Sequence, residues 1–132
     1  RLDDIADNMA YLDALYIRLR ENLHPDCRFT AFGFSQGCAT LMRWVLHARP
    51  PLDALILYAG SIPEDLPYAE HLDYLGSFPL FLVYGDRDEY LTPERVEAYR
   101  AFISKAGLPV QYHVFEGGHT VERSVLEKLI GD

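Results

Sequence analysis

Apolar residues recur over the first two dozen positions at alternating steps of three and four: Leu2, Ile5, Met9, Leu12, Tyr16 and Leu19. That spacing marks one face of a helix, predicted to run to about Leu23 and to stop at His24-Pro25. Asp3, Asp4, Asp7, Asp13 and Arg18 fall on the opposite face, expected to be solvated. The period then changes. Residues 27–34 carry bulky groups on both alternations, the mark of a strand buried in a parallel sheet. Gln36–Ala48 returns to helical spacing, with Ala39, Met42, Val45 and Leu46 as the inward stripe and Arg49-Pro50-Pro51 as the stop.

Two further apolar runs, Ala54–Ala59 and Pro79–Tyr84, each end at a glycine, Gly60 and Gly85. Between them residues 61–78 are irregular, with at most a short helix around Tyr68–Leu75. Thr92-Pro93-Glu94 reads as an N-cap, a first-turn proline and a first-turn acid. The helix it opens turns Val96, Tyr99, Phe102 and Ile103 inward and ends at Gly107. Val110–Phe115 alternates Val110, Tyr112 and Val114 against Gln111 and His113, which suits an edge strand. A final helix carries Val121, Val125 and Leu129. The order α-β-α-β-loop-β-α-β-α predicts an α/β fold: a parallel sheet of about four strands, joined by right-handed crossovers and flanked by helices. In such sheets the chemistry lies at the carboxyl ends of the strands.

A length of 132 residues and 49 % hydrophobic content suit one domain spanning 1–132. A formal charge of −8 argues against nucleic acid and anionic membranes as partners. No apolar run reaches the ~20 residues of a membrane span, and no signal-peptide pattern is present, so a cytoplasmic location is expected. Cys27 and Cys38 lack metal-site spacing and are expected to be small, reduced, buried residues. Neither a metal nor a cofactor is called for. The chain begins at Arg1, already inside a helical pattern.

Candidate chemistry gathers at three strand ends. Gly33-Phe34-Ser35-Gln36-Gly37 sits at a strand-to-helix switch, the setting of a nucleophile elbow. Glycines two before and two after the serine relieve crowding in a strained turn. The helix N-terminus behind Ser35, with the backbone N–H of Gln36, favours a developing oxyanion. Among five histidines, His24 and His47 close helices, His71 lies in the irregular stretch and His113 is a strand residue. His119 alone follows a strand end, behind Gly117-Gly118, and is the expected base. The acid is Asp88, Asp86 or Glu89. Asp88 is preferred at the top of its loop, Asp86 suits a turn-capping role, and Glu89 is expected to face solvent. Ser…Asp…His is the hydrolase chain order.

Together Gly33–Gly37, Tyr84-Gly85-Asp86-Arg87-Asp88 and Gly117-Gly118-His119 resemble an α/β-hydrolase of the phospholipase/carboxylesterase group, which includes the acyl-protein thioesterases. The resemblance runs through nearly the whole chain but covers only the second half of that family's domain. It implies a serine hydrolase acting on carboxylic esters or thioesters, with Ser35, His119 and Asp88 as catalytic residues. In the family a second oxyanion N–H comes from a loop preceding this region, so only Gln36 is assigned here. Two other readings stand beside it: a non-catalytic hydrolase-fold module that binds a small acyl ligand or a partner protein, and a peptidase. Leu66 and Tyr68, with Ile62, Tyr74 and Phe78 nearby, are expected either to wall an acyl pocket or to anchor their loop to the core. The family's strand arrangement implies that strand 27–34 is central in the complete sheet, with an outer neighbour not supplied by these residues. Phe29, Ala31, Phe32 and Phe34 bring neither charge nor proline to that bare side. Self-association, or pairing with a complementing N-terminal segment, is therefore expected there.

Overall fold

The computed structural model describes residues 2–130, apart from the side chains of Leu2, Asp3 and Ala6. Arg1 and the side-chain assignments of Leu2 and Asp3 thus lie outside the described residues. The elements are α1 (Leu2–Asn22), β1 (Thr30–Phe34), α2 (Gly37–Ala48), β2 (Ala54–Tyr58), a 3-10 turn (Tyr68–His71) running into α3 (Leu72–Leu75), β3 (Leu80–Gly85), α4 (Pro93–Ala106), β4 (Val110–Phe115) and α5 (Arg123–Ile130). The four strands form one parallel sheet in the order β1-β2-β3-β4. The expected α/β architecture is observed, short helix included.

The helix ends follow their residues. Thr92 caps α4 by accepting from Arg95 N, with Pro93 in the first turn, and Gly107 closes the helix at φ 71°. Arg49 closes α2 in the left-handed region at φ 48°, where its N–H reaches Val45 O.

One sheet face packs against α1, α2 and α4. Cys38, Met42, Trp44, Val45, Leu55, Leu57, Leu80 and Ile103 form its core, with Met9, Leu12 and Tyr16 against it. The other face buries Ile56, Tyr58, Val83 and Phe115 beneath Val125, Leu126 and Leu129 of α5. Tyr16 holds α1 in place, edge-on to Phe29 and Trp44 at 5.3 and 5.6 Å.

Several expectations need correction. The first strand begins at Thr30, not Cys27, because Asp53 intercepts the chain before it. Its carboxylate accepts from Phe29 N at 2.6 Å and its N–H donates to Phe29 O at 2.7 Å. Cys27 lies instead in a turn, its N–H bonded to His24 O, and is only half-buried. β1 forms the sheet edge, as expected of a strand with no neighbour on its outer side, but it is not buried on both faces: Phe32 is 40 % exposed. Leu19 is exposed at the rim of a cleft shared with Phe29 and Leu52, and Val121 is exposed because it precedes α5. Val114 is exposed near the end of β4.

The free edge of β1 has a measurable consequence. Ser35 N donates to Tyr58 O, so the alternation of a parallel strand turns the N–H and C=O of Phe32 and Phe34 toward the unpartnered side. Residues 1–132 produced alone are expected to self-associate along β1 or to need an added strand there. A monomer that sediments as a single species and unfolds cooperatively would contradict this.

Candidate active site

Each polar residue of the site stands where a strand ends and the chain must turn. At β1 the ladder extends one residue past the strand, Ser35 N donating to Tyr58 O at 2.8 Å. The chain then reverses into α2, with Cys38 N donating to Ser35 O at 3.1 Å. Ser35 is held at φ 55°, in the left-handed region that a non-glycine residue enters at a cost of about 1–3 kcal/mol. This lifts Oγ off the sheet.

Only one of the two flanking glycines is needed for space. A Cβ on Gly33 would lie 3.0 Å from Gly37 O and 3.1 Å from Cys38 Cα, whereas one on Gly37 would meet nothing within 4 Å. The expectation that Gly37 relieves crowding is therefore not met, since it faces open space beside Phe34 and Thr40. A third glycine, Gly60, takes that role from across the turn. Its absent side chain would come within 2.3 Å of Ser35 O and 2.5 Å of Cys38 Sγ. Behind the turn Cys38 is buried, its thiol 3.3 Å from Gly33 O and 3.5 Å from Tyr58 O. Burial pushes that thiol up to about 12, so it stays protonated and is no competing nucleophile near neutral pH.

At β3 the chain turns at Gly85. Asp86 and Asp88 then divide two tasks between them. Asp86 Oδ1 accepts from Gly117 N at 3.0 Å and Arg87 N donates to Gly117 O at 2.8 Å, which fastens the histidine loop to the β3 turn. Asp88 is 5 % exposed and fully occupied: Oδ1 accepts from Tyr90 N (2.8 Å) and Leu91 N (3.2 Å), and Oδ2 faces His119 Nδ1 at 2.8 Å. A buried carboxylate is tolerated when its lone pairs are engaged this way. Glu89 is exposed. Of the three candidate acids, Asp88 alone reaches the imidazole.

His119 Nε2 stands 3.0 Å from Ser35 Oγ. Because a carboxylate only accepts, Nδ1 carries the proton and the Nε2 lone pair is left to take one from the serine hydroxyl. Phe34 (5.0 Å, 43°) and Tyr90 (4.6 Å, 59°) flank the imidazole ring and fix its orientation. Ser35, His119 and Asp88, separated by up to 84 residues, form one hydrogen-bonded chain. Gln36 stands at the N-terminus of α2 beside Ser35.

A cavity of about 600 Å³ opens over Ser35 and His119, within the range of small-molecule sites. Ala59, Gly60 and Ser61 form one wall, and Tyr90, Arg95 and Tyr99 another. Leu66 and Tyr68 are not part of it. Leu66 lines a separate cleft with Met9, Leu46 and His71. Tyr68 is buried in the core, its hydroxyl donating to Pro63 O and its ring edge-on to Phe102. Burial also raises the Tyr68 phenol above its ordinary range. Both side chains anchor their loop: Tyr68 lies in the core and Leu66 packs against it. Tyr99, expected among the inward residues of α4, instead lines this wall and belongs to neither core cluster. The sequence signal for the wall is helical: Arg95 and Tyr99 are four apart in the first turns of α4 and so share a face.

A family model described as serine hydrolase (FSH1) matches residues 12–127. No curated protein matches the sequence significantly. Among solved structures, an uncharacterized protein from Bacillus cereus superposes with a TM-score of 0.74 at 24 % identity, over 97 % of this chain and 43 % of its own. Zea mays acyl-protein thioesterase 2 gives 0.65 at 17 % identity, over 92 % and 61 %. Arabidopsis thaliana SOBER1 gives 0.65 at 20 % identity, over 97 % and 60 %. The fold is thus that of α/β-hydrolases, and the chain spans 43 to 61 % of the length of these structures.

Proposed function

Since the chain belongs to the FSH1 family of serine hydrolases, we propose that it cleaves carboxylic esters or thioesters through an acyl-enzyme on Ser35. The observation that carries this reading is the unbroken chain from Ser35 Oγ through His119 to Asp88, at 3.0 and 2.8 Å. Oγ attacks the acyl carbon as Nε2 takes its proton. Asp88 holds the tautomer and balances the charge of the imidazolium that forms. The tetrahedral oxyanion is met by the N–H of Gln36 and the positive end of α2. On collapse the leaving oxygen or sulfur takes the proton from Nε2, and the bond to the acyl carbon breaks. A water molecule then repeats the sequence, giving the acid and free Ser35.

Only Gln36 is assigned as an oxyanion donor. Loss of one such donor costs about 2.7–4 kcal/mol of barrier, so a segment pairing along β1 that brought a second N–H would raise turnover steeply. The proposed partners are therefore the ester or thioester and such a segment. Among the described residues no helix is long and apolar enough to cross a membrane.

Where deacylation is the slower step, an acyl-enzyme gives burst kinetics. Rapid mixing with 4-nitrophenyl acetate should release nitrophenol in a fast phase stoichiometric with protein, followed by slower turnover. Release at the same rate from a Ser35→Ala variant would contradict the reading.

A further inference from the structure

We infer that the site selects esters carrying a carboxylate, and that Arg95 is the residue that recognises it. This rests on the reading of Ser35 as the nucleophile, because Arg95 lines the same cavity. The chain has 20 acidic residues against 12 Lys and Arg. Yet the cavity wall contains no aspartate or glutamate, and its formal charge is one arginine.

That cation is not consumed by the fold. Among the described residues Arg95 forms no ion pair with a carboxylate. Its one side-chain hydrogen bond is from Nη1 to Tyr90 O at 2.9 Å. A backbone carbonyl neutralises no charge, so the bond orients the guanidinium and leaves its other N–H groups to donate. The position is also wrong for helix stability. Arg95 lies in the first turn of α4, where the helix dipole disfavours a cation. An anion entering here would meet both the guanidinium and the positive end of α4. Ser61 and Tyr99 add neutral polar groups to the lining.

The guanidinium fork matches a carboxylate in shape as well as charge. Such charge-assisted bonds correspond to about a tenfold preference or more. Arg95 is exposed, so beside a purely apolar acyl chain its guanidinium keeps its water, and the preference for a carboxylate comes from the direct charge-assisted bonds.

The test compares hydrolysis of neutral 4-nitrophenyl butyrate with mono-4-nitrophenyl glutarate and with 4-carboxyphenyl butyrate. These place the carboxylate on the acyl side and on the leaving group respectively. The intact protein should favour at least one monoanion by about tenfold in kcat/KM over its neutral counterpart, 4-nitrophenyl butyrate for the glutarate and 4-carbamoylphenyl butyrate for the carboxyphenyl ester, each ratio corrected for the uncatalysed rates. Arg95→Gln should lose that ratio, and Arg95→Lys should retain most of it. The ratio is the readout because Arg95 also bonds Tyr90, which packs on His119, so its loss can slow all substrates equally. Binding provides a second measurement. The Ser35→Ala protein is titrated by NMR with monomethyl and dimethyl glutarate, with and without Arg95→Gln. Preference for the monoanion that depends on Arg95, without turnover by the parent, would sink the hydrolase reading and keep this one. Equal handling of charged and neutral compounds, or a preference unmoved by Arg95→Gln, would overturn the inference while leaving Ser35 in its role.

Discussion

Ser35→Ala is expected to lower hydrolysis of a short-chain nitrophenyl ester by about 10³-fold or more, with the fold unchanged. The alanine keeps the turn, because Ser35 contributes its backbone to it: N–H to Tyr58 O, and C=O to Cys38 N. Only Oγ is lost, along with its bond to His119 Nε2. The left-handed backbone at φ 55° is carried over unchanged, since alanine there is strained about as much as serine. Circular dichroism and the melting temperature should therefore match the parent while activity falls. Activity within tenfold of the parent would remove Ser35 from the chemistry.

Asp88→Asn and Asp86→Asn are expected to differ sharply, although only one residue separates them. At position 88 an amide can donate to the imidazole as well as accept from it, so the tautomer that presents Nε2 to Ser35 is no longer enforced. Turnover should fall by about 10²–10⁴-fold. At position 86 the amide oxygen can still accept from Gly117 N, the bond that holds the histidine loop. Activity should stay within about tenfold of the parent, and Asp86→Ala should cost roughly 1 kcal/mol of stability. If Asp86→Asn proved the more damaging change, the orienting acid would be Asp86. Initial rates at one pH, with melting temperatures of all three variants, settle the comparison.

The order of elements was legible because each announces itself locally. Thr92-Pro93-Glu94 opens α4 and Gly107 closes it, and the step of three and four from Ile5 to Tyr16 marks α1. The site was legible for a related reason. A parallel sheet brings strand ends together, so Ser35, Asp88 and His119 could be joined in expectation before any distance was known. What failed depends on contacts far apart in sequence. The carboxylate of Asp53, 24 residues away, decides where β1 starts. Nothing near Leu66 or Tyr68 says on which side of the loop they fall. Tyr68 turns into the core because Pro63 O and Phe102 wait there. The wall of the cavity over Ser35 comes instead from Gly60, Ser61 and the first turns of α4, where Thr92-Pro93-Glu94 marks a helix start but no motif marks a cavity.

If Ser35 is the activated nucleophile proposed above, a fluorophosphonate probe should label it, because phosphonylation needs proton transfer from Oγ to His119, 3.0 Å away. The protein is incubated with the probe, digested, and the modified peptide identified by mass spectrometry. One adduct per chain is expected, on Ser35, absent from Ser35→Ala and formed much more slowly in Asp88→Asn. No adduct on the intact protein, or an adduct on Ser61 of the same cavity, would contradict it.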